Sequence, residues 1–220
     1  MHHGGLFGRG RVQLPLLVPK KIGLLGGSFN PAHEGHRAIS LFAMHGCRLD
    51  QVWWLVTVRN PLKESHDMPS VNDRVAYARS IANHPRCRVM ALDHVFGVYF
   101  TYEILLRLKY CFPRTRFVWL MGADNLCQLV YWKRWHDIFR YVRIVIMRRY
   151  PYDLRAFSSL PAHHFAYCRL PHRASCLVTR RKPPVWTMVM NRFYTISSTE
   201  LRSRMNKKTV KVADKECSPS

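Results

Sequence analysis

Apolar runs of strand length alternate with amphipathic stretches along the middle of the chain. Short continuous apolar runs indicate buried strands, and apolar positions that recur every three to four residues indicate helices. The runs that predict strands are Lys21–Leu25, Gln51–Val58, Cys87–Leu92, Arg116–Met121, Tyr141–Met147 and Val185–Val189. Helical spacing follows Pro31 and recurs over Asp73–Ala82 and Thr101–Tyr110. This alternation predicts an α/β fold, a parallel sheet flanked by helices, with ligands beyond the C-terminal ends of the strands.

The two ends of the chain lack this pattern. Residues 1–19 are rich in Gly and Arg, and their apolar run Leu14–Val18 is short and broken by a proline. A flexible N-terminal extension is therefore expected rather than a signal peptide. One domain is expected over 20–205, with a short helix at Ser198–Arg204 as its small helical C-terminal part. The polar residues 206–220 are expected to form a frayed tail.

The composition bears on the class of protein and on its surroundings. With 48% hydrophobic and 22% charged residues, the chain has the balance of a globular protein. No apolar run reaches about 18 residues, so no membrane-spanning helix is expected. The seven cysteines include no C-x-x-C pair. Scattered cysteines favour free thiols in the cytoplasm over disulfides, and they argue against a zinc site.

A large positive charge is the most unusual bulk property. Lys and Arg outnumber Asp and Glu by 35 to 13, which gives a formal net charge of +22. Such a field attracts phosphates, so a nucleotide and a nucleic acid are both candidate ligands. Charge alone supplies affinity without chemistry, and an evolved nucleic-acid function is the less favoured of the two. The sequence leaves open whether the chain forms a homo-oligomer.

The segment Gly26–His36 (GGSFNPAHEGH) carries the clearest candidate chemistry. Its two glycines at a strand end let the backbone approach a bulky ligand, and Ser28 adds a hydroxyl that can donate to phosphate oxygens. Pro31 predicts the start of a helix, whose N-terminal amides attract anions. His33 and His36 would share a face of its first turn. Two imidazoles at one phosphate would stabilise charge during phosphoryl or nucleotidyl transfer.

Other interpretations of this segment are weaker. A Gly-Gly pair is usually only a turn, and H-x-x-H can be half of a metal site, but no third ligand stands at a convincing spacing. The segment is neither a Walker A loop nor a G-x-G-x-x-G fingerprint. It resembles the G-G-[ST]-F-[ND]-P-x-H-x-G-H signature of the nucleotidyltransferase superfamily that contains the (H/T)-x-G-H motif.

Four later segments resemble one branch of that superfamily, the bacterial nicotinate-nucleotide adenylyltransferases. In chain order they are Trp53–Lys63 with its N-P-x-K turn, Thr101–Tyr102, Leu120–Asn125 followed by Trp132 and Trp135, and Ile196–Arg202. The resemblance extends over about 20–205 and implies a Rossmann-like α/β fold. It also implies transfer of AMP from ATP to nicotinate mononucleotide, which yields nicotinate adenine dinucleotide and pyrophosphate. Mg²⁺ would enter with ATP, without dedicated protein ligands.

The resemblance further implies roles for individual residues. His33 and His36 would be catalytic and contact the ATP phosphates, with His36 nearest the α-phosphate. The other residues implied for ATP are Gly26, Gly27, Ser28, Phe29, Ser197, Ser198, Thr199 and Arg202. Those implied for the mononucleotide are Asn60, Lys63, Thr101, Tyr102, Asp124, Trp132 and Lys133. Among them, Trp132 would stack on the pyridine ring, and Thr101, Tyr102 and Lys133 would face its carboxylate.

One departure and three rival functions accompany this interpretation. Ile104 stands where the branch usually has the Thr of T-Y-x-T-L, so a hydroxyl is missing. A sister transferase that uses nicotinamide mononucleotide or pantetheine phosphate is the first rival. A basic nucleic-acid-binding protein without catalysis is the second, and a degenerate transferase that serves as a scaffold is the third. Intact phosphate-binding segments disfavour the last.

Overall fold

One parallel sheet forms the centre of the protein. The computed structural model describes residues 21–58, 68–148 and 151–189. The strands of this described part are β1 (Lys21–Gly27), β2 (Gln51–Val56), β3 (Cys87–Met90), β4 (Arg116–Gly122), β5 (Arg143–Met147), β6 (Arg169–Leu170) and β7 (Trp186–Val189). Their order is β3-β2-β1-β4-β5-β7-β6, and adjacent strands are parallel. The predicted Rossmann-like α/β fold is confirmed.

Helices connect the strands and cover both faces of the sheet. They are α1 (Glu34–Gly46), α2 (Val71–Ala82), α3 (Leu92–Phe96), α4 (Thr101–Cys111), α5 (Ala123–Gln128), α6 (Trp135–Tyr141), α7 (Asp153–Phe157) and α8 (Leu160–His164). Helical spacing in the sequence predicted α1, α2 and α4. The remaining helices span five to seven residues, which is too short to show a helical period. In the described residues, no helix combines the length and hydropathy needed to cross a bilayer.

Several element boundaries differ from the sequence prediction. Strand β2 ends two residues early, because Val58 N donates to the Asp93 carboxylate (2.6 Å) instead of to a neighbouring strand. Strand β3 ends at Met90, and the last residue predicted for it enters α3 instead. The N-terminal extension, the C-terminal helix and the tail fall outside the described residues and stay predictions.

The core lies on both faces of the sheet, because successive strand side chains alternate between them. Leu24 and Trp53 belong to one cluster, which includes buried residues of α4, α5 and α6. Their neighbours Leu25 and Trp54 belong to the other, which includes buried residues of α1 and α2. Strands buried on both faces read as continuous apolar runs, which explains why the sequence pattern located them.

The strand order changes direction between β1 and β4. Strands β2 and β3 extend the sheet from one side of β1, whereas β4, β5 and the later strands extend it from the other. Loops that leave neighbouring strands at such a point diverge and open a crevice beyond their C-terminal ends. Gly27 and Gly122 are the last residues of the two strands. The segment with the two histidines therefore leaves the sheet at the crevice.

Candidate active site

The two histidines together cap the start of α1. Residues 28–33, here called the histidine loop, connect β1 to α1. His33 is the N-cap with extended backbone (φ −153°, ψ 168°), and its Nδ1 accepts a bond from Gly35 N (3.1 Å). His36 Nδ1 in turn accepts a bond from His33 N (3.2 Å). The helix thus begins at Glu34, and the prediction that it starts at Pro31 was wrong because His33 still has extended geometry.

This cap determines which imidazole nitrogen carries the proton. A ring nitrogen that accepts an N–H bond has no proton, so each neutral ring is the tautomer with hydrogen on Nε2. The two rings lie side by side, with centroids 3.9 Å apart. Both side chains are partly exposed. Each neutral ring therefore carries its N–H on Nε2, and both rings lie where the loop that leaves β1 enters α1, beside the crevice.

Aromatic rings on the sheet side hold His36 in place. Phe29 has a left-handed backbone (φ 47°) and is buried, and its ring stacks on Trp54 with centroids 5.1 Å apart. The His36 ring lies 4.8 Å from Phe29 and 5.8 Å from Trp54. Trp54 Nε1 donates to Ser40 Oγ (2.7 Å), which donates to the His36 carbonyl (2.9 Å). Phe29, predicted as an ATP contact, thus packs beneath a candidate catalytic ring.

Gly26 and Gly27 differ in what surrounds them. A Cβ on Gly26 would lie 2.5 Å from Cη2 of Trp119, far inside contact distance, whereas one on Gly27 would meet the Phe29 ring at an ordinary 3.5 Å. Trp119 is buried and meets Trp132 edge to face, with centroids 6.4 Å apart. The missing side chain at Gly26 therefore makes room for Trp119, a packing role that the sequence did not predict.

Four of the seven residues predicted for the mononucleotide lie at or near the start of α4. Lys133 Nζ lies 4.3 Å from the centre of the Phe100 ring, and the Arg134 guanidinium lies 5.2 Å from the Tyr102 ring. Thr101 is the first residue of α4, between these two aromatic residues. Lys133 and Arg134, which directly follow Trp132, thus lie against the first turn of α4. The predicted set containing Thr101, Tyr102, Trp132 and Lys133 occupies one region.

Individual side chains in this region have local partners. The Tyr102 hydroxyl donates to Glu103 Oε1 (2.9 Å), so this hydrogen bond is made within α4. Ile104 lies on the buried face of the same helix and belongs to the core. Its apolar side chain therefore replaces the usual Thr at a packing position. Asp124 lies in the first turn of α5, and a Cβ on Gly122 would collide with its Oδ1.

Six predicted site residues cannot be placed. They lie outside the described residues, and their roles stay predictions: Asn60, Lys63, Ser197, Ser198, Thr199 and Arg202.

Two buried charged residues near the site were not predicted. Arg74 of α2 donates to the carbonyls of Ser28 (2.6 Å) and Thr57 (2.8 Å), and Asp93 of α3 accepts the bond from Val58 N. One signal in the sequence could have located the arginine. Arg74 lies four and eight positions before Ala78 and Ala82, on the buried face of α2, where a charged residue is unusual.

The family follows from comparison with known proteins. A family model described as cytidylyltransferase-like matches residues 24–204. The chain therefore belongs to the cytidylyltransferase-like family.

Relatives at about 40% identity narrow this assignment. A probable nicotinate-nucleotide adenylyltransferase of Bradyrhizobium sp. (strain BTAi1) is 42% identical over 183 residues, which cover 83% of this chain and 95% of the relative. Its counterpart from Brucella suis biovar 1 is 40% identical over 187 residues, which cover 85% and 96%. Within the family, the chain groups with the nicotinate-nucleotide adenylyltransferases, so the resemblance seen in its motifs is confirmed.

A solved structure supports the fold independently. The Plasmodium falciparum nicotinic acid mononucleotide adenylyltransferase, complexed with NaAD, superposes with a TM-score of 0.63 at 17% identity. The match covers 84% of this chain and 83% of that chain. At this identity, the likeness shows that both chains share the fold.

Proposed function

We propose that the protein transfers AMP from ATP to nicotinate mononucleotide, forming nicotinate adenine dinucleotide and pyrophosphate. The observation that carries this proposal is the pair of histidines that cap α1 at the crevice between β1 and β4. The relatives named above are nicotinate-nucleotide adenylyltransferases, which supports the choice of acceptor. A sister transferase differs from this proposal only in its acceptor and is tested below.

The proposed reaction needs positioning rather than a covalent enzyme intermediate. A phosphate oxygen of the mononucleotide attacks the α-phosphorus of ATP in line, while the bond to the bridging oxygen of the β-phosphate breaks. Pyrophosphate leaves with the electron pair of that bond, and negative charge spreads over the oxygens around the phosphorus. The Nε2–H groups of His33 and His36 would donate to those oxygens. Because the cap orients both rings in advance, little reorganisation accompanies the reaction.

Mg²⁺ would arrive as part of the substrate complex with ATP. Among the described residues, no group of three or more His, Cys, Asp or Glu side chains could hold a metal ion. Mg²⁺ commonly keeps several waters and is held by substrate phosphates with few protein ligands. Bound there, it would neutralise charge on the departing pyrophosphate. The side chains that we assign to phosphate are imidazoles, which are donors in this tautomer.

The acceptor would lie beside the first turn of α4. Trp132 is partly buried against Trp119, so its ring is held in place, and we propose that the pyridine ring of the mononucleotide stacks on it. Lys133 and Arg134 place two cationic groups next to this region. A carboxylate gains more than a carboxamide from such donors. We therefore propose a preference for the acid form of the mononucleotide.

A direct assay tests the reaction and the acceptor together. The purified protein, ATP and Mg²⁺ are supplied with nicotinate or nicotinamide mononucleotide, and pyrophosphate release is followed with a coupled enzyme. We expect kcat/KM to be at least about tenfold higher for the nicotinate form, since a site built for one polar group rejects its analogue. No release with either acceptor would contradict the proposed function. A preference for the nicotinamide form or for pantetheine phosphate would support the sister transferase.

Replacing Trp132 by Ala is expected to raise the KM for the mononucleotide about tenfold, because stacking of a base on an aromatic side chain is worth about 1–3 kcal/mol. The KM for ATP should change little, since the ring is assigned to the acceptor alone. Tyr131→Ala is the matched control, because that neighbouring ring is exposed. Steady-state kinetics with each substrate varied in turn measures both values. An unchanged KM for the mononucleotide in Trp132→Ala would remove Trp132 from the acceptor site.

A further inference from the structure

Arg74 is a buried cation that contacts the segments that follow β1 and β2. Only 4% of its surface is exposed. Its guanidinium donates to four carbonyl oxygens: Nε to Pro69 (3.0 Å), Nη1 to Ser28 (2.6 Å) and Thr57 (2.8 Å), and Nη2 to Val58 (3.3 Å). One planar group thus joins α2, the histidine loop and the chain that leaves β2.

Asp93 is the acidic residue that interacts with Arg74 and with the end of β2. It is also buried, and its carboxylate accepts bonds from Val58 N (2.6 Å) and His94 N (2.9 Å). Burial raises the pKa of Asp93 above its ordinary value, while the bond from Val58 and the positive charge of Arg74 oppose that rise. Burial likewise lowers the pKa of Arg74, and Asp93 opposes it. Val58 is therefore held at both its carbonyl and its N–H.

The pattern of bonds indicates what this arrangement is for. Burying charged groups is costly, and apolar side chains of similar size often stabilise a fold equally well. The four acceptors of Arg74 are backbone carbonyls, three of which belong to residues that directly follow β1 or β2. The same two strand ends are also bonded to each other directly, because Thr57 N donates to the Gly27 carbonyl. A buried charge at this place holds the loops that leave the two strands.

We propose that Arg74, supported by Asp93, is a positioning residue that fixes the histidine loop relative to the end of β2. The proposal rests on the proposed function, because the loop leads to the imidazoles assigned to the ATP phosphates. Arg74 acts through Ser28, the first residue of that loop, and contacts no reacting atom. It also sets the direction of the chain just before Asn60 and Lys63, which were predicted to line the acceptor cleft.

The test compares Arg74→Lys with Arg79→Lys. Lysine keeps the charge but has a compact ammonium that cannot reproduce the planar fork of arginine. Arg79 is the matched control, because it lies on the same helix, is exposed and donates to the Val89 carbonyl at 3.5 Å. For Arg74→Lys we expect kcat to fall about a hundredfold, as for a shift of about 1 Å at a reacting group. The KM for ATP should change less than about threefold, because the loss falls on the transition state.

A second measurement needs no substrate and reports on the loop directly. Amide hydrogen exchange, followed by mass spectrometry, compares peptides covering 26–36 with peptides covering β5. In Arg74→Lys we expect exchange in 26–36 to rise at least about tenfold while β5 stays protected, which is the signature of local opening. Arg79→Lys should match the wild type in both regions.

Two results overturn the proposal. One is wild-type exchange over 26–36 in Arg74→Lys. The other is a lower thermal midpoint with unchanged turnover per folded molecule, which would assign Arg74 to stability alone. If the wild-type protein itself releases no pyrophosphate from ATP and nicotinate mononucleotide, the proposed function fails. The exchange experiment then still determines whether Arg74 holds the loop.

Discussion

Replacing His36 by Gln is expected to lower kcat at least about a hundredfold, the loss typical of removing one preorganised donor from a developing charge. Gln is chosen because its side-chain oxygen, at the third residue of a helix, can accept the bond from the N-cap N–H. The variant thus keeps the bond from His33 N and removes only the imidazole. Its thermal midpoint should stay near that of the wild type, while single-turnover kinetics shows the loss.

Two further variants separate the loss of the imidazole from the loss of the helix cap and control for a change elsewhere in α1. His36→Ala removes both the imidazole and the cap acceptor, so it should lose turnover and also stability, by about 0.5–2 kcal/mol for a lost cap. His45→Gln is the control, because His45 is exposed in the last turn of the same helix and should leave both properties unchanged. Near-normal turnover in His36→Gln would refute the role assigned to His36.

A methyl group at Gly26 is expected to disturb both halves of the site. In Gly26→Ala the new Cβ would lie 2.5 Å from Trp119 Cη2 and 2.8 Å from Cζ2. Trp119 is buried in the core, so it can move only by displacing its neighbours, at a cost of about 1–3 kcal/mol. One of those neighbours is Trp132. We therefore expect a lower free energy of unfolding together with a higher KM for the mononucleotide.

Gly46→Ala is the matched control for this substitution. Gly46 ends α1, and a Cβ there would meet the Phe42 ring at an ordinary 3.6 Å. Alanine favours a helix more than glycine does, so this variant should be as stable as the wild type or slightly more stable. Chemical denaturation and steady-state kinetics measure both variants. Equal stability of Gly26→Ala and the wild type would show that Trp119 does not depend on the missing side chain.

The strands were predictable because each contributes to a sheet buried on both faces. Apolar runs located β1, β2, β3, β4, β5 and β7, and their alternation with helical spacing predicted a parallel sheet. Edge strand β6 has only two residues, Arg169 and Leu170, and no apolar run could reveal it. The short helices after β4 were missed for the same reason, since five to seven residues contain too little of a helical period.

The site was predictable where a motif concentrates the chemistry in adjacent residues. The segment Gly26–His36 identified both histidines, but spacing alone could not show that they cap the helix through Nδ1. Arg74 and Asp93 were missed because the partners that tie them to the strand ends are backbone atoms 16 to 46 positions away in the chain. A sequence does not reveal a carbonyl group as an acceptor. The fold must first bring the segments together.

His33 and His36 cap α1 and are also the groups that we assign to the ATP phosphates, and these two roles can be separated by substitution. Ser at an N-cap and Gln three residues later form the ordinary capping pair, so a chain with Ser at position 33 and Gln at position 36 would keep α1 while losing both imidazoles. Two substitutions would therefore be enough to remove both imidazoles without removing the helix cap. Because a cap alone does not require an imidazole, histidine at both positions agrees with the phosphate-binding role proposed for them.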